Sequence, residues 1–282
     1  MHAGEEAASS WPRRETRPVS VGTVQIGGGA PVSIQTMTKT DTRDVAATLT
    51  QVRSAAAAGA EIVRIAVPSL DAVDAFAQIA ADAPVPIVAD VHFDYRIAVE
   101  CARAGAAKLR VNPGNIGDDA RLAAVIEAAT DAGIPIRVGV NSGSLEKDLL
   151  SPEGRATAEG LAESAVRTVA RMNRLGFEDL VVAIKAAEVP LTIAANREFA
   201  RRSDLPLHIG ITEAGFGRAA AVKSAAGLAI LLADGIGDTL RISMTDPPED
   251  EVEVGLLLLR SLDLRSGPWL TSCPTCGRCK VC

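Results

Sequence analysis

The stretch richest in chemistry is Lys108-Leu-Arg-Val-Asn-Pro-Gly-Asn115, where a short β-branched run delivers Arg110 and Asn112 before Pro113-Gly114 stops it. Other apolar runs also end on polar residues: Gln35 and Met37, Arg64, Asp90 and His92, Arg137 and Asn141, Lys185, Glu213, and Arg241. Five of these ends carry a cation (Arg64, Arg110, Arg137, Lys185 and Arg241), in a chain whose net charge is −6. Any one arginine reads as a surface or helix-paired side chain. Several cations gathered on one rim repel one another unless an anion compensates them. Guanidinium groups pair phosphate oxygens bidentately, and each charged hydrogen bond contributes roughly 1.5–3 kcal/mol. The residue types therefore predict a site for a phosphorylated or diphosphorylated small molecule.

Acid–base groups stand among the cations. Asp90-Val-His92 puts two titratable side chains on the same side of a strand end. Asp90 either orients a structural His92 or works with it in catalysis, and spacing leaves both open. Glu213, in Thr212-Glu213-Ala-Gly215, is either a catalytic acid or the partner of an arginine. Lys185 is either a phosphate ligand or a Schiff-base amine. Gly215-Phe-Gly-Arg218 reads as a plain turn rather than a phosphate cradle. The acidic run Glu249-Asp-Glu251 reads as complementing a helix dipole.

The tail carries a different chemistry. Cys273-Pro-Thr-Cys276 is followed by Cys279 and Cys282, four of the chain's five cysteines. In a reducing compartment such a cluster points to metal, either zinc or iron–sulfur. Consecutive two-residue spacings are nearer to ferredoxin runs than to zinc ribbons, and such a run needs a further ligand from elsewhere.

The elements that must position these residues repeat along the chain. A helix, a glycine and a short strand recur as Ala57-Ala-Gly59 before Ile62-Val-Arg-Ile65, and as Asp131-Ala-Gly133 before Ile136-Arg-Val-Gly-Val140. The same order returns at Arg174-Leu-Gly176 and Ala233-Asp-Gly235. Strands are expected near Val32–Thr36, Ile62–Ile65, Ile87–Asp90, Lys108–Val111, Ile136–Val140, Leu180–Ile184, Leu207–Thr212 and Thr239–Ser243. Helical patterns alternate with them over Asp44–Ala58, Asp71–Ala81, Tyr95–Ala104, Asp118–Ala132, Thr157–Leu175, Thr192–Arg201, Ala219–Ala233 and Pro248–Leu262. Eight strands alternating with eight helices predict an α/β TIM (β/α)8 barrel, preceded by a short N-terminal hairpin over Val19–Val21 and Val24–Ile26. A doubly wound sheet is the second choice, and no Gly-x-Gly-x-x-Gly follows the first strand to support it.

Composition agrees with this architecture. Hydrophobic residues make up 48% and aromatics 3%, so the core must be built of Ala, Val, Ile and Leu. The acidic balance argues against nucleic acid as partner, and no apolar run reaches membrane-spanning length. Arg13-Arg14 lacks the apolar stretch of an export signal, which predicts a cytoplasmic protein. The expected division is a disordered leader over 1–12, a barrel over 13–268 and a Cys-rich stub over 269–282.

Longer motifs add a resemblance. Ser33-Ile-Gln-Thr-Met-Thr38, Asp90-Val-His-Phe-Asp-Tyr-Arg96, Leu109-Arg-Val-Asn-Pro-Gly-Asn115, Gly139-Val-Asn-Ser-Gly-Ser-Leu-Glu-Lys-Asp148, Thr212-Glu-Ala-Gly215 and Ser272-Cys-Pro-Thr-Cys-Gly-Arg278 resemble the 4-hydroxy-3-methylbut-2-en-1-yl diphosphate synthases of the non-mevalonate isoprenoid pathway. The resemblance implies reductive ring opening of 2-C-methyl-D-erythritol 2,4-cyclodiphosphate through a 4Fe-4S cluster, with ferredoxin or flavodoxin as donor and a homodimer as the full-length assembly. It implies that Arg64, Arg110, Arg137 and Lys185 hold the diphosphate, with Asn112, Asn141 and His92 nearby; Arg241 joins them from its strand end. Glu213 would be the acid close to the departing oxygen, and Cys273 and Cys276 would be cluster ligands. In that family a second, smaller domain follows Cys-Pro-Thr-Cys and supplies a third Cys and a Glu ligand. Residues 269–282 are read as the stub of it.

Overall fold

The computed structural model describes residues 11–268 and 271–273. An antiparallel hairpin, β1 (Val19–Val21) and β2 (Val24–Ile26), precedes the parallel strands β3 (Ser33–Met37), β4 (Ile62–Ala66), β5 (Ile87–Asp90), β6 (Lys108–Val111), β7 (Ile136–Asn141), β8 (Leu180–Lys185), β9 (His208–Ile209) and β10 (Thr239–Leu240). The sheet runs in the order β8-β7-β6-β5-β4-β3-β10-β9, and a bridge between Val182 and Leu207 joins its two ends. The expected TIM barrel with its preceding hairpin is the architecture found.

Around it lie α1 (Val45–Ala57), α2 (Val73–Asp82), α3 (Tyr95–Arg103), α4 (Pro113–Ile116), α5 (Asp119–Asp131), α6 (Ala158–Arg174), α7 (Val189–Ala200), α8 (Gly217–Ala233) and α9 (Pro248–Ser261). Side-chain caps set several of the starts. Asp44, Asp94, Asn112, Asp118 and Thr157 each accept a hydrogen bond from a first-turn amide of the helix that follows.

Several boundaries differ from expectation. The seventh helix begins at Val189 rather than Thr192, because Pro190 sits in its first turn, where a missing N–H costs nothing. Pro113 likewise starts a single helical turn, α4, instead of only ending a strand. The last two strands shrink to two residues each. The Asp238 carboxylate takes the Leu207 amide at 2.8 Å, so a side chain occupies a donor that a longer ladder would have used.

Strand alternation sorts the residues into two faces. Ile34, Val63, Ile65, Leu109, Val111, Val138, Val140, Val182 and Ile184 pack with the helices in the main core. The opposite parity points into the barrel. At the N-terminal ends of the strands, Ile62, Val88 and Val181 cluster with Val19, Val21 and Ile26, so the hairpin plugs that end. The turn of the plug, Gly22, has φ +56° and lies against Pro86 and Ala107, where a Cβ would meet the proline ring at 3.0 Å.

The N-terminal arm is pinned as well. Arg14 donates to the carbonyls of Ala200, Ser203 and Leu205, and Arg13 to those of Leu232 and Gly237. Two guanidinium groups thus satisfy carbonyls at and beyond the C-terminal ends of α7 and α8. Of the expected leader only Trp11 and Pro12 fall within the described residues, and the Pro12 carbonyl already lies against Gly235. Of the expected stub, Cys276, Cys279 and Cys282 lie outside them.

Candidate active site

With one end of the barrel plugged by apolar side chains, the polar residues of the inward parity collect at the other. There a cavity of about 320 Å³ opens at the C-terminal ends of the strands. From β3 and β4 come Met37 and Arg64, from β5 and the turn after it Asp90 and His92, and from β6 Arg110. Arg137, Gly139 and Asn141 come from β7, and Ala183 and Lys185 from β8. Thr212, Arg241 and Ser243 follow the two short strands. All five sequence-predicted cations therefore share one wall.

They do not all stand at strand tips. Arg137 is the second residue of β7, paired in register with Arg110, and only 2% of its surface is exposed. Lys185 and Asn141 do close their strands, opposite each other in the ladder. The Lys185 ammonium lies against Gly210. A Cβ there would sit 2.7 Å from Nζ and 2.8 Å from the Arg241 carbonyl, so only glycine leaves that space.

One carboxylate organises the buried half of the site. Asp90 accepts from Arg110 Nη1 at 2.9 Å, pairs with Arg64 Nε at 3.6 Å and lies 3.6 Å from His92 Nε2. Arg110 Nη1 also reaches His92 Nε2 at 2.8 Å. Burial alone would raise the Asp90 carboxyl. The neighbouring Arg64, the adjacent His92, Arg110 and Arg137 outweigh it and hold Asp90 well below the ordinary carboxylate range. Burial pushes the Arg64 guanidinium down to about 10 against the pull of Asp90. Burial first, then Arg137, Arg64, Arg241 and Arg110, push the Lys185 ammonium well below its ordinary value. Arg137 is pushed down in the same way.

These arginines keep donors in reserve. The buried Nε of Arg110 and the buried Nε and Nη1 of Arg137 have no hydrogen-bond acceptor among the described residues. Fixed, desolvated donors with no protein acceptor suit an anion of phosphate geometry. Deeper in the barrel, Lys108, His208, Gln35, Ser33 and Thr239 are also buried with unpaired polar atoms. Burial together with the charges of Lys185, Arg137, Lys108 and Arg64 pushes His208 far down, so its imidazole is neutral. Sequence reading passed over Lys108, His208 and Thr239, although period-two parity from Arg110, Thr212 and Arg241 would have turned all three inward.

Two predicted residues do not line the cavity. Asn112 spends its side-chain oxygen on the Gly114 amide at 3.1 Å as the cap of α4. Glu213 is exposed beyond Thr212, with its backbone in the left-handed region at φ 53° and its carbonyl accepting from Lys223 at 3.3 Å. Glu251 departs from its sequence reading in the other direction. It is 1% exposed and accepts from both Nε and Nη2 of Arg241, so it is an ion-pair partner within the barrel wall rather than a solvated dipole charge. Helical spacing could have found it: Glu251 lies four and seven residues before Gly255 and Leu258, on the buried stripe of α9, whereas Glu249 and Asp250 do not.

The architecture is widely shared. Dihydropteroate synthase from Stenotrophomonas maltophilia superposes with a TM-score of 0.61 at 14% identity, over 82% of this chain and 93% of that one. 3-Dehydroquinate dehydratase from Geobacillus kaustophilus gives 0.61 at 14% identity, over 90% and 99%. At such identities the likeness concerns the fold alone. Sequence relatives are more specific. A 4-hydroxy-3-methylbut-2-en-1-yl diphosphate synthase (flavodoxin) of Geobacter sulfurreducens is 52% identical over 270 residues, 95% of this chain and 76% of that protein. The synthase of the same name from Pseudomonas syringae pv. tomato is 54% identical over 267 residues, covering 94% and 72%. Residues 16–256 match the GcpE TIM-barrel domain. The fold, the cation-lined cavity and these matches agree: the chain belongs to the 4-hydroxy-3-methylbut-2-en-1-yl diphosphate synthase family.

Proposed function

We propose that the cavity binds 2-C-methyl-D-erythritol 2,4-cyclodiphosphate, and that this chain holds it for reductive opening to 4-hydroxy-3-methylbut-2-en-1-yl diphosphate in isoprenoid biosynthesis. The observation that carries the reading is the crowding of Arg64, Arg110, Arg137, Lys185 and Arg241 around a small cavity, with buried guanidinium donors left over. In this reaction a ring C–O bond to phosphate breaks and a hydroxyl group leaves as water, while two electrons and two protons are taken up. Negative charge grows on the freed phosphate oxygen, and fixed cations that need no reorganisation stabilise it. Asp90 keeps Arg64 and Arg110 aimed at the ligand and His92 close to them. Glu213, exposed beyond the cavity wall, is the acid beside the departing hydroxyl, and Asn112 stays at the rim as the cap of α4.

The family draws its electrons through a 4Fe-4S cluster, and its members' names supply flavodoxin as donor. Among the described residues no group of three or more His, Cys, Asp or Glu side chains is placed to hold a metal ion, and Cys273 is exposed. The contribution of the described barrel is therefore binding and orientation. A ferredoxin is an equivalent class of donor, and we extend the homodimer and a cytoplasmic setting to this chain by resemblance. No helix among the described residues is long and apolar enough to cross a membrane.

A lowered Lys185 would also suit a Schiff-base aldolase. Burial, and then the surrounding arginines, account for that lowering without one. The test is calorimetric titration with the cyclodiphosphate. Arg110→Ala, which removes a buried guanidinium, should weaken binding by about 1.5–3 kcal/mol, the worth of a charged hydrogen bond. An affinity within twofold of the parent would show that Arg110 does not face the ligand.

A further inference from the structure

Arg241 differs from the other cations of the cavity in how it is held. Its carboxylate partner comes from a helix on the outside of the barrel, through the gap left where β10 stops at Leu240. Glu251, in the first turn of α9, accepts from Arg241 Nε at 3.0 Å through Oε2 and from Arg241 Nη2 at 3.1 Å through Oε1. The same two oxygens accept from Thr36 Oγ1 at 2.8 Å and from the Met244 amide at 3.3 Å, and Lys39 Nζ stands 3.4 Å away. Lys39 also donates to the carbonyls of Met244 and Asp246. A buried carboxylate saturated in this way serves as a fixed anchor.

The geometry decides which part of Arg241 remains. The Nε–Nη2 edge of the guanidinium is spent on Glu251, and Nη1 is left on the cavity side, 3.7 Å from Met37 Sδ. We propose that Glu251 is a positioning residue for the reaction: it clamps one edge of Arg241 so that the opposite edge meets the diphosphate. The inference rests on the cyclodiphosphate reading of the cavity. In Glu251→Gln the amide nitrogen would face a guanidinium donor, so one of the two parallel hydrogen bonds becomes a repulsion and the arginine swings away.

A double-mutant cycle on the full chain tests it, with cyclodiphosphate affinity from calorimetry and folding followed separately by thermal melting. Arg241→Met should weaken binding at least tenfold, and Glu251→Gln should weaken it comparably. The double variant should bind within twofold of Arg241→Met alone, because Glu251 acts only through that arginine. Thr36→Val keeps the shape and removes one donor from Glu251. It should show the same pattern at several-fold size, and it stands in if Glu251→Gln does not fold. A Glu251→Gln affinity within twofold of the parent, beside a weakened Arg241→Met, overturns the proposal. So does an undiminished effect of Glu251→Gln in the Arg241→Met background. Should Arg241→Met bind like the parent while Arg110→Ala does not, the positioning role falls and the cyclodiphosphate reading stands. No binding by the parent chain removes both.

Discussion

Replacing Asp90 by Asn would probe how the cation cluster is held together before any ligand arrives. The side chain is 4% exposed and lies 2.9 Å from Arg110 and 3.6 Å from Arg64, both themselves about nine-tenths buried. Asparagine keeps the shape and one acceptor for Arg110 Nη1. It removes the negative charge, and Arg64, Arg110 and Arg137 then face one another with no counter-ion at that place. Breaking a buried ion pair by removing one partner costs about 3–5 kcal/mol. For a domain of this size, each kcal/mol is roughly 2–4 °C, so the melting temperature should fall by about 6–20 °C. The assay is chemical and thermal denaturation of parent and variant, each with and without saturating cyclodiphosphate. The anionic ligand should stabilise the variant more than the parent, because it meets the charges that Asp90 no longer balances. A loss under 1 kcal/mol, or equal stabilisation of both proteins by the ligand, would refute the argument that Asp90 is the counter-ion of the cluster. The carboxylate also sets a pH dependence. Its folded-state value lies below the unfolded one, so its contribution is present above the ordinary carboxylate range and is lost as pH falls.

Two further outcomes follow from the same geometry. Glu213→Gln should leave cyclodiphosphate affinity nearly unchanged, since the residue is exposed beyond the cavity wall, and its cost should appear in turnover of the complete electron-transfer system; loss of binding would make it a ligand-positioning residue instead. Ligand binding should take up protons. Lys185 lies well below its ordinary 10.5 in the free protein, and an anion beside it restores the charged form, so affinity declines as pH rises across that interval. Calorimetry in two buffers of different ionisation heat, repeated at increasing pH below 10.5, measures the uptake, and its absence would show that Lys185 stays charged without ligand.

Much of this was legible in the chain itself. The helix–glycine–strand repeat is a local signal, and the count of eight strands and eight helices, with no Gly-x-Gly-x-x-Gly after the first strand, favoured the closed barrel over a doubly wound sheet. The places of Arg64, Arg110 and Arg241 near strand ends also marked them for one rim, because the parallel strands of a barrel all end on the same face. Where pairing replaced pattern, the sequence was silent. Helical spacing puts Glu251 on the stripe of Val252, Gly255 and Leu258, but only the docking of α9 against β3 gives it Thr36 and Arg241 as partners. Arg137 was read as a tip residue, but the register of β7 with β6 sets it deep in the wall. Asn112 read as a ligand from its place in Arg-Val-Asn-Pro-Gly, yet its oxygen caps the helix that proline begins. Local spacing determines which residues can face inward, because alternation is a property of one strand. Depth and partners depend on the stagger between strands and the docking of distant helices, and these are properties of the closed barrel alone.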